Sequence, residues 1–314
     1  MSKVKEEAVL AFTTDGNEHI VPARKEKIWT TPQIILVIVI LIFSASCLLP
    51  FVNVLATSFS SKSAILSGRV TFWPVEFETN AYKAIFADPA MIRSMGLTVF
   101  ITVVYTAIAM ALTILMAYPL SKKRLRGRKF FNFLALFTMY FSGGTIPIYL
   151  NIKELGLLNS VWSLIIPGAL STYNMIILKS FFTALPNELE EAAIIDGAND
   201  FQVLIRVYLP LSLASLATLT LFYAVGKWNS FQDAMYYIQD KALQPLQLKL
   251  YNIIKGSQAV DVAAMEGGSS AMASSVSESI EPACIIFATL PILVVYPFVQ
   301  RYFVSGVTIG AVKG

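Results

Sequence analysis

The sequence ELEEAAIIDGANDFQVLIRVYLP, residues Glu188 to Pro210, lies between two long apolar segments and decides the fold. Pro186 suits the first turn of a helix, because its missing N–H would be unsatisfied there in any case. The following turns carry three acidic side chains, which the helix dipole favours: Glu188, Glu190 and Glu191. Gly197 can take the left-handed conformation that ends a helix, and Asn199 or Asp200 can cap the next one. The stretch therefore predicts two short helices joined by a sharp corner that requires a small residue at position 197.

The composition is that of a membrane protein. Hydrophobic residues make up 56% and charged residues 14% of the chain, and the mean hydropathy is +0.64. Soluble domains are rarely so apolar. Six apolar segments predict an all-α membrane protein with six transmembrane helices across a bilayer core of about 30 Å. They cover residues 33–56, 96–120, 130–150, 160–178, 209–225 and 282–300. Within the third segment, Gly143-Gly144 predicts a close approach of two helices, with local unwinding as the alternative.

A basic loop between the second and third predicted spans sets the orientation. It holds six cations and no acid: Lys122, Lys123, Arg124, Arg126, Arg128 and Lys129. Cytoplasmic loops carry such an excess, and the apolar spans on either side argue against a nucleic-acid patch. Because successive spans cross the membrane in opposite directions, both termini and residues 188–210 are then expected in the cytoplasm. The long connection 231–281 falls outside the cell, and it is net acidic.

Residues for catalysis or metal binding are missing from the sequence. Its one histidine, His19, lies in the N-terminal tail, and no Cys/His cluster has metal-ligand spacing. Gly226-Lys227 is followed by Trp228 and lacks the upstream glycine of a phosphate-binding loop. No predicted span has a charge in its central part, where a proton- or sodium-driven carrier usually needs one. We therefore expect a non-enzymatic protein without cofactor or metal, with energy supplied by another subunit.

The decisive stretch resembles the EAA signature of binding-protein-dependent ABC importer permeases. That signature is E-A-A, three residues, G, nine residues, then I-x-L-P. Here Glu191-Ala192-Ala193 precedes Gly197 by three residues, and Val207-Tyr208-Leu209-Pro210 follows after nine, with valine replacing isoleucine. Asp196 and Ala198, which flank the glycine, are also similar to the family. The alternative is an amphipathic helix on the membrane surface.

The resemblance implies a type I ABC importer permease fold over residues 90–304. It divides the chain into a cytoplasmic tail (1–32), a first transmembrane helix with an outer loop (33–89), this core, and a cytoplasmic tail (305–314). Within the core it implies a coupling helix at 187–208 and an outer loop at 231–281. The tail ending in GAVKG is similar to that of the maltose-type second permease subunit, which reaches between the ATPase subunits.

Two sets of site residues follow from the resemblance. The residues expected to couple to the ATPase are Glu190, Glu191, Ala192, Ala193, Asp196, Gly197, Ala198, Leu209 and Pro210, with the tail residues Gly310, Ala311, Val312, Lys313 and Gly314. A path for sugars should be lined by rings and amides, for which the candidates are Tyr105, Tyr173, Asn174, Tyr223, Trp228 and Asn229. The alternatives for this second set are an aromatic belt at the membrane interface and helix–helix contacts.

The expected function is translocation of a carbohydrate, with an oligosaccharide favoured, across a bacterial cell membrane by alternating access. The expected partners are a second permease subunit, two cytoplasmic ATPase subunits, an extracytoplasmic sugar-binding protein and the lipid bilayer, with no nucleic acid. The alternatives are an ABC permease for another solute such as a peptide, a secondary carrier or channel, and a membrane anchor or sensor subunit.

Overall fold

The computed structural model of the chain describes residues 10–12, 18–20, 31–265 and 280–297. Contacts divide the chain into two units after Val52. The first unit contains two antiparallel three-residue strands, β1 (Leu10–Phe12) and β2 (Glu18–Ile20), and most of α1 (Thr31–Ser58). The sequence predicted only a charged tail for residues 1–32, so this strand pair is an addition to that prediction.

In the second unit, every regular element within the described residues is a helix. In chain order they are α2 (Lys62–Leu66), α3 (Asn80–Ala87), α4 (Pro89–Ser121), α5 (Arg128–Tyr140), α6 (Thr145–Glu154), α7 (Trp162–Ile165), α8 (Thr172–Ala184), α9 (Asn187–Ile195), α10 (Asp200–Val203), a π-helical turn (Leu204–Tyr208), α11 (Leu209–Leu211), α12 (Leu213–Trp228), α13 (Gln232–Tyr237), a 3₁₀ turn (Lys241–Leu243), α14 (Leu246–Met265) and α15 (Ile280–Pro297).

Helix α4 is the central element of the second unit. Asp88 caps its start by accepting a hydrogen bond from the Ala90 N–H, and Pro89 occupies the first helical position. Its main neighbours are α8 and α12. Small side chains on α4, including Ala109, Thr113 and Ala117, are fully buried. They allow these helices to approach closely, as is usual between membrane helices.

Three apolar clusters lie along α4. At its start, Met91 packs with residues of α3, α14 and α15. In the first half, Ile101 packs with residues of α7, α13 and α14. At its end, Ala117, Tyr118 and Leu120 pack with residues of α8 and with Tyr208 of the π-helical turn. Helix α4 therefore connects the decisive stretch to the opposite end of the core.

The prediction of six single spanning helices is not confirmed. Within the described residues, α1, α4 and α15 are long and apolar enough to cross a membrane. Two bent pairs bring the number to five if each is one span: α5 with α6, bent by 111°, and Asp200–Leu211 with α12, bent by 85°. The predicted fourth span, 160–178, is divided between α7 and α8. Pro167 and Gly168 lie in this break, and Gly168 has a φ of +74°, which a continuous helix excludes.

The expected close helix approach at Gly143-Gly144 is wrong. The chain unwinds there between α5 and α6, and Gly144 has a φ of +91°. A Cβ added at either glycine would lie 3.9–4.0 Å from Pro147, in the first turn of the following helix α6, and would not meet a helix packed from elsewhere in the chain. The glycine pair therefore provides backbone freedom for the 111° bend.

The connection 231–281 is largely helical where the structure describes it. Leu246, Leu248 and Leu250 of α14 are buried, and the Leu246 N–H donates to Thr98 Oγ1 of α4 at 2.8 Å. Lys249 Nζ lies 2.7 Å from an oxygen of Asp88. This part of the predicted outer loop is thus built into the core.

Candidate functional site

The corner at Gly197 has the predicted left-handed conformation. We call residues 187–211 the knob. Helix α9 ends in a Schellman motif, in which Gly197 N–H donates to Ile194 O and Ala198 N–H to Ala193 O, both at 2.9 Å. Gly197 has a φ of +82°, and a Cβ added there would meet nothing within 4 Å. The position therefore requires glycine for its backbone angle and not for lack of space.

The second half of the knob begins with a complete capping box. Asn199 Oδ1 accepts from the Gln202 N–H at 2.9 Å, and Gln202 Oε1 accepts from the Asn199 N–H at 3.0 Å. These reciprocal bonds satisfy two amide groups that a helix start leaves free. Both ends of the corner are thus closed by local hydrogen bonds, which define the angle between the two halves of the knob.

Glu190 joins the knob to the end of α4. Its Oε2 atom lies 2.5 Å from Lys122 Nζ and accepts a hydrogen bond from the Tyr208 hydroxyl at 2.9 Å. Arg124 approaches the other carboxylate oxygen at 3.4 Å and also pairs with Asp200 at the start of α10. Two residues of the basic loop therefore hold both halves of the knob.

Aromatic rings enclose this group of charges. Lys122 Nζ lies 3.6 Å from the ring centre of Tyr208 and 4.3 Å from that of Tyr118, which adds cation–π attraction. Phe182 of α8 contacts both rings edge-on. The side chains of Lys122 and Glu190 are only 9% and 13% exposed, so water screens their attraction weakly.

Burial and pairing act in opposite directions on these two groups. Burial lowers the pKa of Lys122, and the neighbouring Glu190 only partly restores it. Burial would raise the pKa of Glu190, but the hydrogen bonds from Lys122 and Tyr208 outweigh it and hold that pKa below its ordinary value. Glu190 is therefore ionised at neutral pH.

The knob also presents apolar side chains to its surroundings. Ile195 is 84% exposed and Phe201 is 63% exposed; they flank the corner on its two sides. Other large exposed apolar residues of the knob are Leu189, Ile194 and Ile205. Two clefts open at the knob. One of 430 Å³ is lined by Lys122, Arg124 and Glu190 and reaches Ile194, and one of 300 Å³ lies next to Asp196 and Arg206. Such a patch is typical of a protein–protein contact.

A second polar group lies between α4 and α12. The rings of Tyr105 and Tyr223 meet edge-on with centres 6.1 Å apart. The Tyr105 hydroxyl donates to Gly168 O at 2.9 Å. The Tyr223 hydroxyl lies 2.7 Å from Thr113 Oγ1 and accepts from the Ser171 N–H at 3.1 Å. These bonds tie α4 and α12 to the break between α7 and α8.

Comparison with known proteins places the chain in a family. No protein-family model matches it. The polygalacturonan/rhamnogalacturonan transport system permease protein YtcP of Bacillus subtilis is 44% identical over 277 residues, which cover 88% of this chain and 96% of that protein. The chain belongs to the carbohydrate ABC transporter permeases. Protein LplC of Bacillus subtilis is 46% identical over 86% of this permease and 90% of its own length.

A solved structure supports the same assignment. A subunit in the crystal structure of a bacterial ABC transporter involved in the import of the acidic polysaccharide alginate is 32% identical to this permease. The TM-score is 0.78, and the match covers 88% of this chain and 100% of the other. Together with its apolar helices, this makes the chain a multi-pass membrane protein and a transport component of an ABC system.

The predicted coupling residues differ in their exposure to solvent. Glu191, Ala192, Asp196, Gly197 and Pro210 are exposed. Ala193, Ala198 and Leu209 are partly buried against the cluster at the end of α4. Glu190 faces Lys122 of the permease itself. The tail residues Gly310 to Gly314 lie outside the described residues.

The predicted path residues do not form one group. Tyr105 and Tyr223 are in contact, whereas Trp228 is buried and donates from Nε1 to Ala288 O at 3.1 Å. Asn229 Nδ2 donates to Val225 O of its own helix at 2.9 Å. Asn174 is buried, and Tyr173 is 56% exposed. As cargo contacts all six remain predictions.

Three features of the site were not anticipated from the sequence. Lys122 and Arg124 were interpreted only as topology markers. In the structure they form ion pairs with Glu190 and Asp200 of the knob. For Ile195 and Phe201 the sequence predicted no more than a place in the two short helices on either side of Gly197. Lys227 Nζ lies 3.3 Å from Asp233 and 4.8 Å from the ring centre of Tyr105. Among the residues that the structure describes, no group of three His, Cys, Asp or Glu side chains could hold a metal ion.

Proposed function

We propose that this permease subunit imports a carbohydrate, with an oligosaccharide as cargo, driven by ATP hydrolysis on a partner subunit. In this proposal the knob is the coupling helix and docks on a cytoplasmic ATPase. The observation that carries the proposal is the exposed apolar pair Ile195 and Phe201 on a corner closed by its own caps. A docking surface needs such exposed area on a segment whose shape is already defined.

The subunit would work in a larger assembly by alternating access. Closure of two ATPase subunits would move the knob, and the spans would rearrange as rigid bodies. A second permease subunit would complete the path, and an extracytoplasmic sugar-binding protein would deliver the cargo. Both termini would be cytoplasmic, and the tail Gly310–Gly314 would provide a further ATPase contact.

The cargo class comes from the relatives and from the aromatic residues near α4. Relatives are named for polygalacturonan/rhamnogalacturonan, arabinooligosaccharides and trehalose/maltose. The exposed Tyr173 is the candidate we favour as a cargo contact, because the other five predicted path residues are buried or hydrogen-bonded to backbone. An uptake panel of galacturonate, alginate, arabinose and maltose oligosaccharides would define the substrate.

The docking proposal is tested by affinity purification of the permease with its ATPase. We expect Ile195→Asp and Phe201→Asp to lose most of the ATPase, because each places a charge in an apolar interface. Trp73→Asp is the matched control, since Trp73 is 81% exposed and lies far from the knob in sequence. Retention of the ATPase by the Ile195→Asp, Phe201→Asp double variant would overturn the docking proposal. ATP-independent uptake that follows an ion gradient would favour a secondary carrier, and uptake of peptides alone would favour another ABC cargo.

A further inference from the structure

We infer that Lys122, Arg124 and Glu190 form an intramolecular joint that passes movement of the knob to α4. This inference rests on the proposed function, since it concerns how force applied to the knob reaches the rest of the permease. It assigns a positioning role to Lys122 and Arg124, which the sequence linked only to membrane topology. It also assigns Glu190 to the inside of the permease and not to the ATPase contact.

The joint connects three chain segments through one carboxylate. Glu190 belongs to α9, Tyr208 to the π-helical turn, and Lys122 directly follows the last residue of α4. Glu190 Oε2 contacts both Lys122 and Tyr208: it lies 2.5 Å from Lys122 Nζ and 2.9 Å from the Tyr208 hydroxyl. A displacement of α9 therefore pulls on the end of α4 and on the second half of the knob together.

Arg124 adds a second attachment to the knob. It pairs with Asp200, the first residue of α10, and it also approaches Glu190 at 3.4 Å. The two halves of the knob are thus each tied to the basic loop, on both sides of Gly197. A pivot of the knob about its corner would have to break one of these two attachments, of which the exposed Arg124–Asp200 pair is the weaker.

The surroundings shelter the ion pair between Lys122 and Glu190, although the 430 Å³ cleft opens onto this pair and onto Arg124. The side chains of Lys122 and Glu190 are about nine-tenths buried, while Arg124 and Asp200 are exposed. The rings of Tyr118, Tyr208 and Phe182 fill the space beneath Lys122. A sheltered ion pair is screened weakly by salt, so it can transmit force under cellular conditions.

Helix α4 can carry the movement onward. It is 33 residues long and bears both Tyr105 and Thr113, which contact Tyr223 of α12. The helix runs unbroken from Pro89 to Ser121, with Pro119 as its one interior proline, and so links the joint to the polar group between α4 and α12. Motion of the knob would therefore shift the contacts around Tyr105, one of the predicted path residues.

The test measures uptake per ATP hydrolysed, using the complete transporter in proteoliposomes. We expect Lys122→Met to keep the ATPase bound and ATP hydrolysis active, while uptake per ATP falls about tenfold, within the range by which residues on a coupling route change coupling. Lys123→Met is the matched control, because Lys123 is exposed and belongs to the same loop. It should couple as the wild type does.

A charge exchange separates the joint from general effects on folding. Lys122→Glu should uncouple transport, and the double variant Lys122→Glu, Glu190→Lys should recover a large part of the uptake per ATP. The inference is wrong if Lys122→Met transports with wild-type coupling, if it loses the ATPase altogether, or if the double variant accumulates in the membrane and remains uncoupled. Absence of ATP-dependent uptake in the wild type would instead contradict the proposed function.

Discussion

The corner at Gly197 allows a prediction whose outcome depends on a backbone angle alone. Its φ is +82°, and a Cβ there meets nothing within 4 Å. A substitution at this position therefore changes the cost of the left-handed conformation and causes no clash within the permease. For alanine, that conformation should cost about 1–2 kcal/mol of conformational free energy. The cost should be smaller for asparagine, which visits the region readily, and larger for valine, which is β-branched.

The cost should appear directly in ATPase binding. Only the population with the native corner presents Ile195 and Phe201 together, and the apparent Kd rises as that population falls. The alanine cost corresponds to a change of about 5- to 30-fold in the equilibrium between the native and the altered corner, which is the upper bound on the rise in Kd. We expect Kd to increase in the order wild type, Gly197→Asn, Gly197→Ala, Gly197→Val. Titration of the purified ATPase against the permease in nanodiscs would measure it.

The order of the variants distinguishes backbone strain from side-chain size. Asparagine is larger than alanine, so a ranking by volume would place Gly197→Asn after Gly197→Ala and refute the reasoning. Unchanged binding by Gly197→Val would refute it as well. Gly256→Ala is the control, because Gly256 lies within α14, has open space around it and has no positive φ. Its affinity for the ATPase should not change.

Three further predictions concern stability. Tyr223→Phe should lower the thermal unfolding midpoint in detergent by a few degrees, since it leaves buried partners unsatisfied at a cost of about 1–3 kcal/mol, whereas Tyr173→Phe should not change it. Trp228→Phe should also lower the midpoint, because the buried hydrogen bond from its Nε1 atom to Ala288 O is lost; an unchanged midpoint would contradict this. The pKa of Glu190 lies below its ordinary 4.5, so its contribution is complete above that value and is lost as the pH falls through the lowered value. Acidification from about pH 7 to about pH 3 should therefore lower the midpoint of wild type more than that of Glu190→Gln, and equal decreases would argue against the ion pair.

The family and the local shape of the knob could be predicted from short stretches of sequence. Glycine at 197 and asparagine at 199 act through hydrogen bonds to residues no more than five positions away. Such interactions depend on residue type and spacing, so a sequence pattern specifies them. The apolar segments likewise predict a membrane protein, because hydropathy depends on composition alone. The described residues do not confirm that every apolar segment is one straight helix. Three segments are interrupted, at Gly143-Gly144, at Pro167-Gly168 and at Ser212.

The ion pair of Lys122 with Glu190 and the ring contact of Tyr105 with Tyr223 depend on tertiary structure. Lys122 and Glu190 are 68 residues apart in sequence, and Tyr105 and Tyr223 belong to different helices. Each pair meets only because α4 packs against α8 and α12, and the sequence pattern does not specify which face of α4 those helices cover. For this reason the sequence by itself determined the chain's class, its family resemblance and the corner at Gly197. Only the tertiary structure decided that Glu190 turns inward to Lys122 while Ile195 and Phe201 remain exposed, because long-range contacts determine which side chains are buried.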